Sequence, residues 1–319
     1  SLAVELNAAK SLPPVVARRY TIESGTLRYF EPYFIDAQNY KEFQKQSIVP
    51  RILFYLSGGQ DDEKLFTEVV CKSFSDIDLV VLCLSGNQLR DAVSETQALK
   101  SVQINRQELN TDPIAKREFE DRLTAAEQSQ SNSLQALIDS PEVNNWYHRG
   151  NLKAARNKRA LQNLMSEVLN DAYHCAPIIH NELVNRDTPS ATANGARNKL
   201  VWAILQNELE EDLGIDKFPP EKAIYRSVFK SSGLHYKDAS GNWKFANYDY
   251  LKKHNPSNNF MPLLEEIHSF LKETHGKPKS FIELNEKLLS APFGIKVGLL
   301  SLLYVFAIIS YQDNLAVTE

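Results

Sequence analysis

Arg149, Lys153, Arg156, Lys158 and Arg159 form a basic run, with no acidic residue between Glu142 and Glu167. Local basic clusters dominate affinity for a phosphate backbone, so the run is a candidate contact for DNA or RNA. A solvated face is the plainer reading of the same charges. Trp146 and Tyr147 stand just before it, where they would either stack nucleobases or anchor a loop beside Pro141. Read as helix, the run sets Arg156 and Arg159 on one face and Lys158 on another.

A second candidate is geometric. Two apolar runs of strand length, 52–56 and 79–84, each lead into a Ser-Gly turn, Ser57-Gly58-Gly59 and Ser85-Gly86-Asn87. Ligands of open α/β sheets bind beyond the carboxyl ends of strands, and helix N-termini attract anions. Glycine is equally the ordinary way to turn a strand tightly into a helix. Asp61, Asp62 and Glu63 then crowd the first turn with charge that repels phosphate.

Other chemistry finds less support. His174, Cys175, His180 and Glu182 are metal-ligating types, but a helical zinc pair wants His residues four apart, and these are six apart across Pro177. No metal or other cofactor is expected in this chain. There is no G-x-S-x-G elbow for a nucleophile. The one Gly-Lys pair, Gly276-Lys277, precedes Pro278 and lacks the upstream glycine of a phosphate-binding loop. Glu208, Glu210, Glu211 and Asp212 read as a solvated helix end. Glu182, Asn185 and Arg186 would share a helix face, as a structural bridge or cap or as catalytic groups. The chain therefore carries no catalytic motif.

The elements around these residues point to a mixed α/β, mainly α fold in four segments. Residues 1–50 read as a short helix and then extended segments, broken at Pro13-Pro14 and turned at Ser24-Gly25. Residues 51–150 read as a small parallel βαβ unit with a projecting helical hairpin. Leu99, Val102 and Leu109 line one arm; Ile114, Leu123, Leu134 and Leu137 line the other, which Asp112-Pro113 begins. Charges four apart (Lys116/Glu120, Arg117/Asp121, Glu118/Arg122) decorate that arm.

Residues 151–255 read as helical and winged-helix-like. Leu161, Leu164, Met165, Val168, Leu169 and Ala172 stripe one amphipathic helix. Thr188-Pro189 opens the next, with Leu200, Val201, Ile204, Leu205 and Leu209 inward as far as Gly214. Pro219-Pro220 opens a third, with Ile224, Val228 and Phe229 inward, and 235–236 and 243–245 flank a hairpin turn. Residues 256–319 read as a second, truncated winged-helix-like pattern: an apolar helix at 263–271, a capping box at Ser280 and Glu283, and an uncharged run at 297–312. That run is shorter than the roughly 20 residues a membrane helix wants, so it reads as a buried helix. Leu315 to Val317 would begin a wing strand.

Several of these segments resemble a known family. The run His180-Asn181-Glu182-Leu183-Val184-Asn185-Arg186, then 196–200, Pro219-Pro220-Glu221-Lys222 and Gly233-Leu234-His235, are similar to parts of very large P-loop ATPases of bacterial anti-phage defence islands, the BREX-type large ATPase and its relatives. The likeness continues at 24–31, 291–295 and 298–300, and so spans most of the chain. Asn181, Glu182, Asn185, Arg186 and Arg197 belong to it without an implied role. In such proteins the nucleotide site lies N-terminal to this region, and this chain lacks it. The resemblance implies an accessory, non-catalytic region that couples the motor to nucleic acid or to partner subunits. Its partners would be the rest of the parent ATPase, DNA or RNA, and other defence-system subunits, with no membrane. A self-standing nucleic-acid-binding winged-helix module is the rival reading. Since the chain starts at Ser1 and stops at Glu319 within a strand-like pattern, it is expected to be a piece of a longer protein.

Composition sets the bounds. The 319 residues are 43% hydrophobic and 24% charged, ordinary values for a globular protein. A net charge of −4 gives no global attraction to nucleic acid, so such a contact needs a local patch. Cys71, Cys83 and Cys175 are few, odd in number and mostly in apolar settings, which fits a reducing cytoplasm.

Overall fold

Strands covered on both faces read as continuous apolar runs, and the chain has two of them side by side. They anchor a mixed α/β, mainly α fold. The computed structural model describes residues 1–44, 47–105, 113–275 and 277–311. The chain divides into two compact units, Ser1–Ala17 with Tyr29–Val168, and Arg18–Arg28 with the chain from Leu169 onward. This division cuts across the four segments read from the sequence.

The elements of the first unit begin with α1 (Leu2–Ala8) and β1 (Val15–Val16). After α2 (Arg18–Ser24), which belongs to the second unit, come β2 (Tyr29–Ile35), β3 (Arg51–Tyr55), α3 (Gln60–Glu68) and β4 (Leu79–Leu82). Strands β2, β3 and β4 pair in parallel, with Glu31 opposite Arg51 and Ile52 opposite Leu79. The expected βαβ unit is therefore present, with every residue of β3 and β4 buried. Asp61, Asp62 and Glu63 sit in the first turn of α3, where the helix dipole favours them. At the start of the sheet, Arg51 meets Asp78 at 2.5 Å. Burial pushes the Asp78 carboxyl up, and Arg51 offsets part of that.

Helices α4 (Gly86–Asn105) and α5 (Pro113–Asp139) form the expected hairpin. Its apolar seam is Leu89 and Val93 against Leu123, Ala126, Leu134 and Leu137, whereas Val102 and Ile114 are exposed. Leu109 and Asp112 lie outside the described residues. Charges join the arms as well as following one arm: Lys100 meets Glu127 at 2.8 Å and Arg122 meets Glu95 at 3.5 Å, while Lys116 keeps Glu120. The 128–133 stretch is plain α5 surface. Strands β5 (Asn145–His148) and β6 (Asn151–Lys153) then extend the sheet antiparallel, giving the order β1-β2-β3-β4-β5-β6.

Helix α6 (Lys158–Ala172) buries its whole predicted stripe. In the second unit, α2 replaces what the sequence suggested was extended chain, because its one fully buried ring, Tyr20, needs only a single inward position. There follow α7 (Ala191–Gln206), α8 (Pro220–Tyr225) continued by a wide π-turn to Lys230, the hairpin β7 (His235–Lys237) and β8 (Trp243–Phe245), α9 (Tyr248–His254), α10 (Met261–Glu273), α11 (Phe281–Leu289) and α12 (Val297–Ser310). Ser190, not Pro189, caps α7 by accepting from the Ala193 amide. That helix stops at Gln206, so Leu209 lies beyond it and is 69% exposed. Ser280 caps α11 by accepting from the Ile282 amide, rather than from Glu283 as a capping box would have it.

One apolar core joins Leu200, Phe229 and Leu251 to Leu263, Leu288, Leu302 and Phe306. The two winged-helix-like patterns thus share a core, and the wing strand expected at 315–317 lies outside the described residues. No described helix is long and apolar enough to cross a membrane. Within α12, Leu303 is 0% exposed. Truncating it to Ala should cost about 3 kcal/mol, and Leu303→Asp should cost more, because a buried charge without a partner is expensive. Chemical denaturation checks this; an unchanged midpoint would remove α12 from the core.

Candidate functional site

The first unit brings both Ser-Gly turns to the carboxyl ends of neighbouring parallel strands, as the sequence required, but closes them on themselves. The Gly58 amide donates to the Asp62 carboxylate at 2.7 Å, and the Gly59 amide to Ser57 Oγ at 3.1 Å. Gly59 adopts φ 153° and ψ −172°, a conformation essentially reserved for glycine. Arg90 reaches the Ser57 carbonyl at 3.5 Å. Gly86 is the buried first residue of α4, and its amide donates to the Cys83 carbonyl. The Gly58 donor that an anion would need already serves an acidic side chain, so this is a self-capped turn.

The basic run is spread over four kinds of backbone. Arg149 and Gly150, with φ of 51° and 74°, make the tight turn between β5 and β6. Lys153 ends the edge strand, Arg156 lies in the connection, and α6 starts only at Lys158. Asn157 caps that helix by accepting from the Ala160 amide at 2.9 Å. Arg156 therefore precedes the helix, and the face it was to share with Arg159 does not exist. Arg149 pairs with Asp76 at 3.3 Å and Lys158 with Asp139 at 2.9 Å, so two of the five charges are already met. Trp146 is fully buried and donates to the Pro141 carbonyl; Tyr147 packs edge-on against Phe66. These rings anchor the sheet and do not present stacking surfaces.

In the second unit, the segment around Asn181 to Arg186 is a succession of turns, not a helix. Asn185 is 5% exposed and donates to the carbonyls of Gly25 and Ile179. A side chain at Gly25 would strike the Ile179 carbonyl, and its φ of +74° also demands glycine. Asn181 donates to Ser227 Oγ and accepts from the Leu183 amide, both at 2.9 Å. Glu182 and Arg186 form an exposed pair at 2.5 Å, so they do not share Asn185's environment. Arg197 donates to Asn194 at 2.8 Å. Asn181 and Asn185 hold these turns together, while the Arg197 bond lies within α7. His174 is tied to the Asp171 carbonyl, and no group of three metal-ligating side chains occurs among the described residues.

Arg28 is a second fixed point. It is 7% exposed, its guanidinium lies 3.5 Å over the Tyr173 ring, and it donates to the Gly294 carbonyl. Any Cβ at Gly294 would collide with that ring.

The arrangement with most charge was not singled out from the sequence. Lys222, Arg226 and Lys230 recur every four residues along α8 and its π-turn, and all three converge on Asp212, at 3.2, 3.1 and 2.5 Å. Asp212 is buried rather than solvated, in a left-handed conformation (φ 50°) followed by Leu213 (φ 56°) and Gly214 (φ 65°). Burial pushes its carboxyl up, but hydrogen bonds from Lys230, Arg226 and Lys222 together prevail and hold it well below the usual carboxylate range. Phe218, 83% exposed, lies under Lys222 and Arg226, and Lys230 lies 5.3 Å from the Trp243 ring in the hairpin. The regular spacing of the three cations was the available signal.

His235 fixes the base of the hairpin. Its Nε2 lies 2.8 Å from the Glu208 carbonyl, which can only accept, so Nε2 carries the proton and Nδ1 accepts from the Tyr225 hydroxyl at 2.7 Å. No protein family, curated protein or solved structure compared with this chain matches it.

Burial holds the pKa of His235 below its ordinary value, with Lys230 acting the same way and Asp212 and the Glu208 carbonyl opposing. His268 is lowered too, first by burial. The unfolded chain therefore binds protons more readily below about pH 6.5. The stabilisation is fully present above that pH and shrinks as pH falls toward the folded-state values. The melting temperature should drop between pH 7.5 and 5.5, and a flat profile would contradict the buried neutral imidazoles.

Proposed function

We propose that this chain is a non-catalytic, nucleic-acid-engaging region of a large P-loop ATPase of the anti-phage-defence kind, and that α8 with the β7–β8 hairpin meets the phosphate backbone. The observation that carries the nucleic-acid part is the Lys222, Arg226 and Lys230 stripe, three cations around one carboxylate beside an exposed ring. This reading gives α8 the part of the second helix of a helix-turn-helix pair, which enters the groove, although the α7–α8 connection is longer than in that motif, and the hairpin directly after α8 the part of a wing. Phosphate contacts of this kind bind without sequence preference and with strong salt dependence.

The attachment to an ATPase rests on the resemblance at 180–186, 196–200, 219–222 and 233–235. The self-standing module is the alternative, and the coding sequence upstream of Ser1 distinguishes them: a P-loop in the same reading frame supports the larger machine. The chain itself should neither bind nor hydrolyse ATP. Calorimetry with Mg-ATP checks this, and a micromolar dissociation constant would revive the Ser-Gly turns as a nucleotide site.

The interface has a direct test in gel shifts on mixed-sequence DNA and RNA across a salt series. Replacing Arg226 and Lys230 by Ala should lower the log–log salt slope on duplex DNA by about 2. Changing Arg156, Lys158 and Arg159 together to Glu should leave most of the affinity, since those charges are dispersed over the connection and the first turn of α6. The opposite ranking would move the interface to the first unit; no shift at low salt would end the nucleic-acid reading.

A further inference from the structure

Three rings stack in parallel on the outer side of the hairpin. Tyr236 of β7 lies 4.4 Å from Tyr250 of α9 with 16° between their planes, and Tyr250 lies 4.3 Å from His254 with 25°. Lys244, paired with Tyr236 across the hairpin, brings its ammonium to 5.7 Å from that ring. Asp238 holds Lys244 there at 2.9 Å. At the other end His254 is exposed, while Tyr236 and Tyr250 are half-buried. His254 Nδ1 lies 2.9 Å from the Tyr250 carbonyl, which fixes the imidazole plane. The last turn of α9 carries Lys252 and Lys253 as well.

The hairpin alternation explains why this stack faces outward. His235 and Phe245 turn to the core, where Phe245 packs edge-on against Phe229 and Phe306. Tyr236 and Lys244 must then point to the opposite face. The Phe229, Phe245 and Phe306 rings fill the core, whereas Tyr236 and Tyr250 only border it and the stack ends at the exposed His254 ring, with Lys252 and Lys253 on the same turn.

We propose that this ring stack is a platform for an unpaired nucleobase, which adds to it on the open face of His254, so that the chain prefers single-stranded DNA or RNA to duplex. This deepens the nucleic-acid reading above and rests on it. A base inside a duplex has both faces covered by its neighbours and can reach a protein ring only by unstacking. A base in a single strand has a free face, and stacking on aromatic side chains tolerates any sequence. The Lys222, Arg226 and Lys230 stripe serves either form through its phosphates; the ring stack selects the form with bases exposed.

The test compares a mixed-sequence single strand, carrying one 2-aminopurine, with its duplex at low salt. Wild type should bind the single strand about tenfold more tightly, a typical effect of one stacked base, and should quench the 2-aminopurine. His254→Ala, on an exposed position that leaves the fold intact, should erase both the preference and the quenching. His254→Phe should retain them, because it restores a ring without the imidazole's charge or hydrogen bonds. Equal binding of both forms by wild type, or undiminished single-strand binding by His254→Ala, overturns the platform. If duplex binding still depends on Arg226 and Lys230 in that case, the phosphate interface stands and only the platform falls. If wild type binds neither form, both readings fall together.

Discussion

A buried guanidinium with no carboxylate partner among the described residues governs how the second unit is closed. Arg28 meets a carbonyl at Gly294 and the π-faces of Tyr173 and, further off, Tyr20, and its Nε has no hydrogen-bond partner among the described residues. Such a charge is tolerated because arginine is weakly hydrated and stacks well on aromatic rings. Its neighbourhood is arranged accordingly. Gly294 must lack a side chain, Lys296 is buried enough that its pKa falls, with Arg28 lowering it further, and Asp187 at 2.5 Å compensates Lys296. Asn185 then fixes the same short segment from its other end through Gly25. The Arg28 guanidinium on Gly294 and Tyr173, the Asn185 amide on Gly25 and the Ile179 amide on the Ser24 carbonyl tie residues 18–28 to this unit.

The charge at α8 follows a different logic. Asp212 satisfies three cations at once, and its low pKa records how strongly they hold its ionised form. Replacing any one of them leaves the others to carry the carboxylate, so the cluster is a network and not three separate bridges. The left-handed backbone at Asp212 and Leu213 is uncommon for residues other than glycine, and it is maintained because it points the carboxylate at the helix. The Ser57 turn of the first unit uses its carboxylate in the reverse sense, with Asp62 accepting from the Gly58 backbone amide.

Periodicity made much of this architecture legible. The buried strands at 51–55 and 79–82, the α4–α5 hairpin, the α6 stripe and the α12 core helix each carry a pattern that one element can satisfy by itself. What was not legible depended on partners far away in sequence. Asp212 looks like a solvated acid until α8 supplies its cations, and Trp146 looks available until the sheet encloses it. Glu182, Asn185 and Arg186 have helical spacing, yet Asn185's amide group is taken up by Gly25 and Ile179, which favours turns. Tyr20 and Ile22 mimic strand alternation although Ile22 is exposed. Leu209 extends the α7 pattern one step past the point where the helix stops.

The interleaved connectivity bears on how the molecule is made. During synthesis residues 18–28 leave the ribosome well before Tyr173, Asn185 and Gly294. Until then Arg28 stays hydrated, because nothing that could offset its desolvation yet exists. The first unit, continuous from Tyr29 to Val168, has all its strands before any core helix of the second unit from α7 onward appears. Contacts of such long sequence separation form late, since loop closure is the cost that precedes them. The second unit thus draws on chain from both sides of the first, and it cannot close its core before α12 has been made.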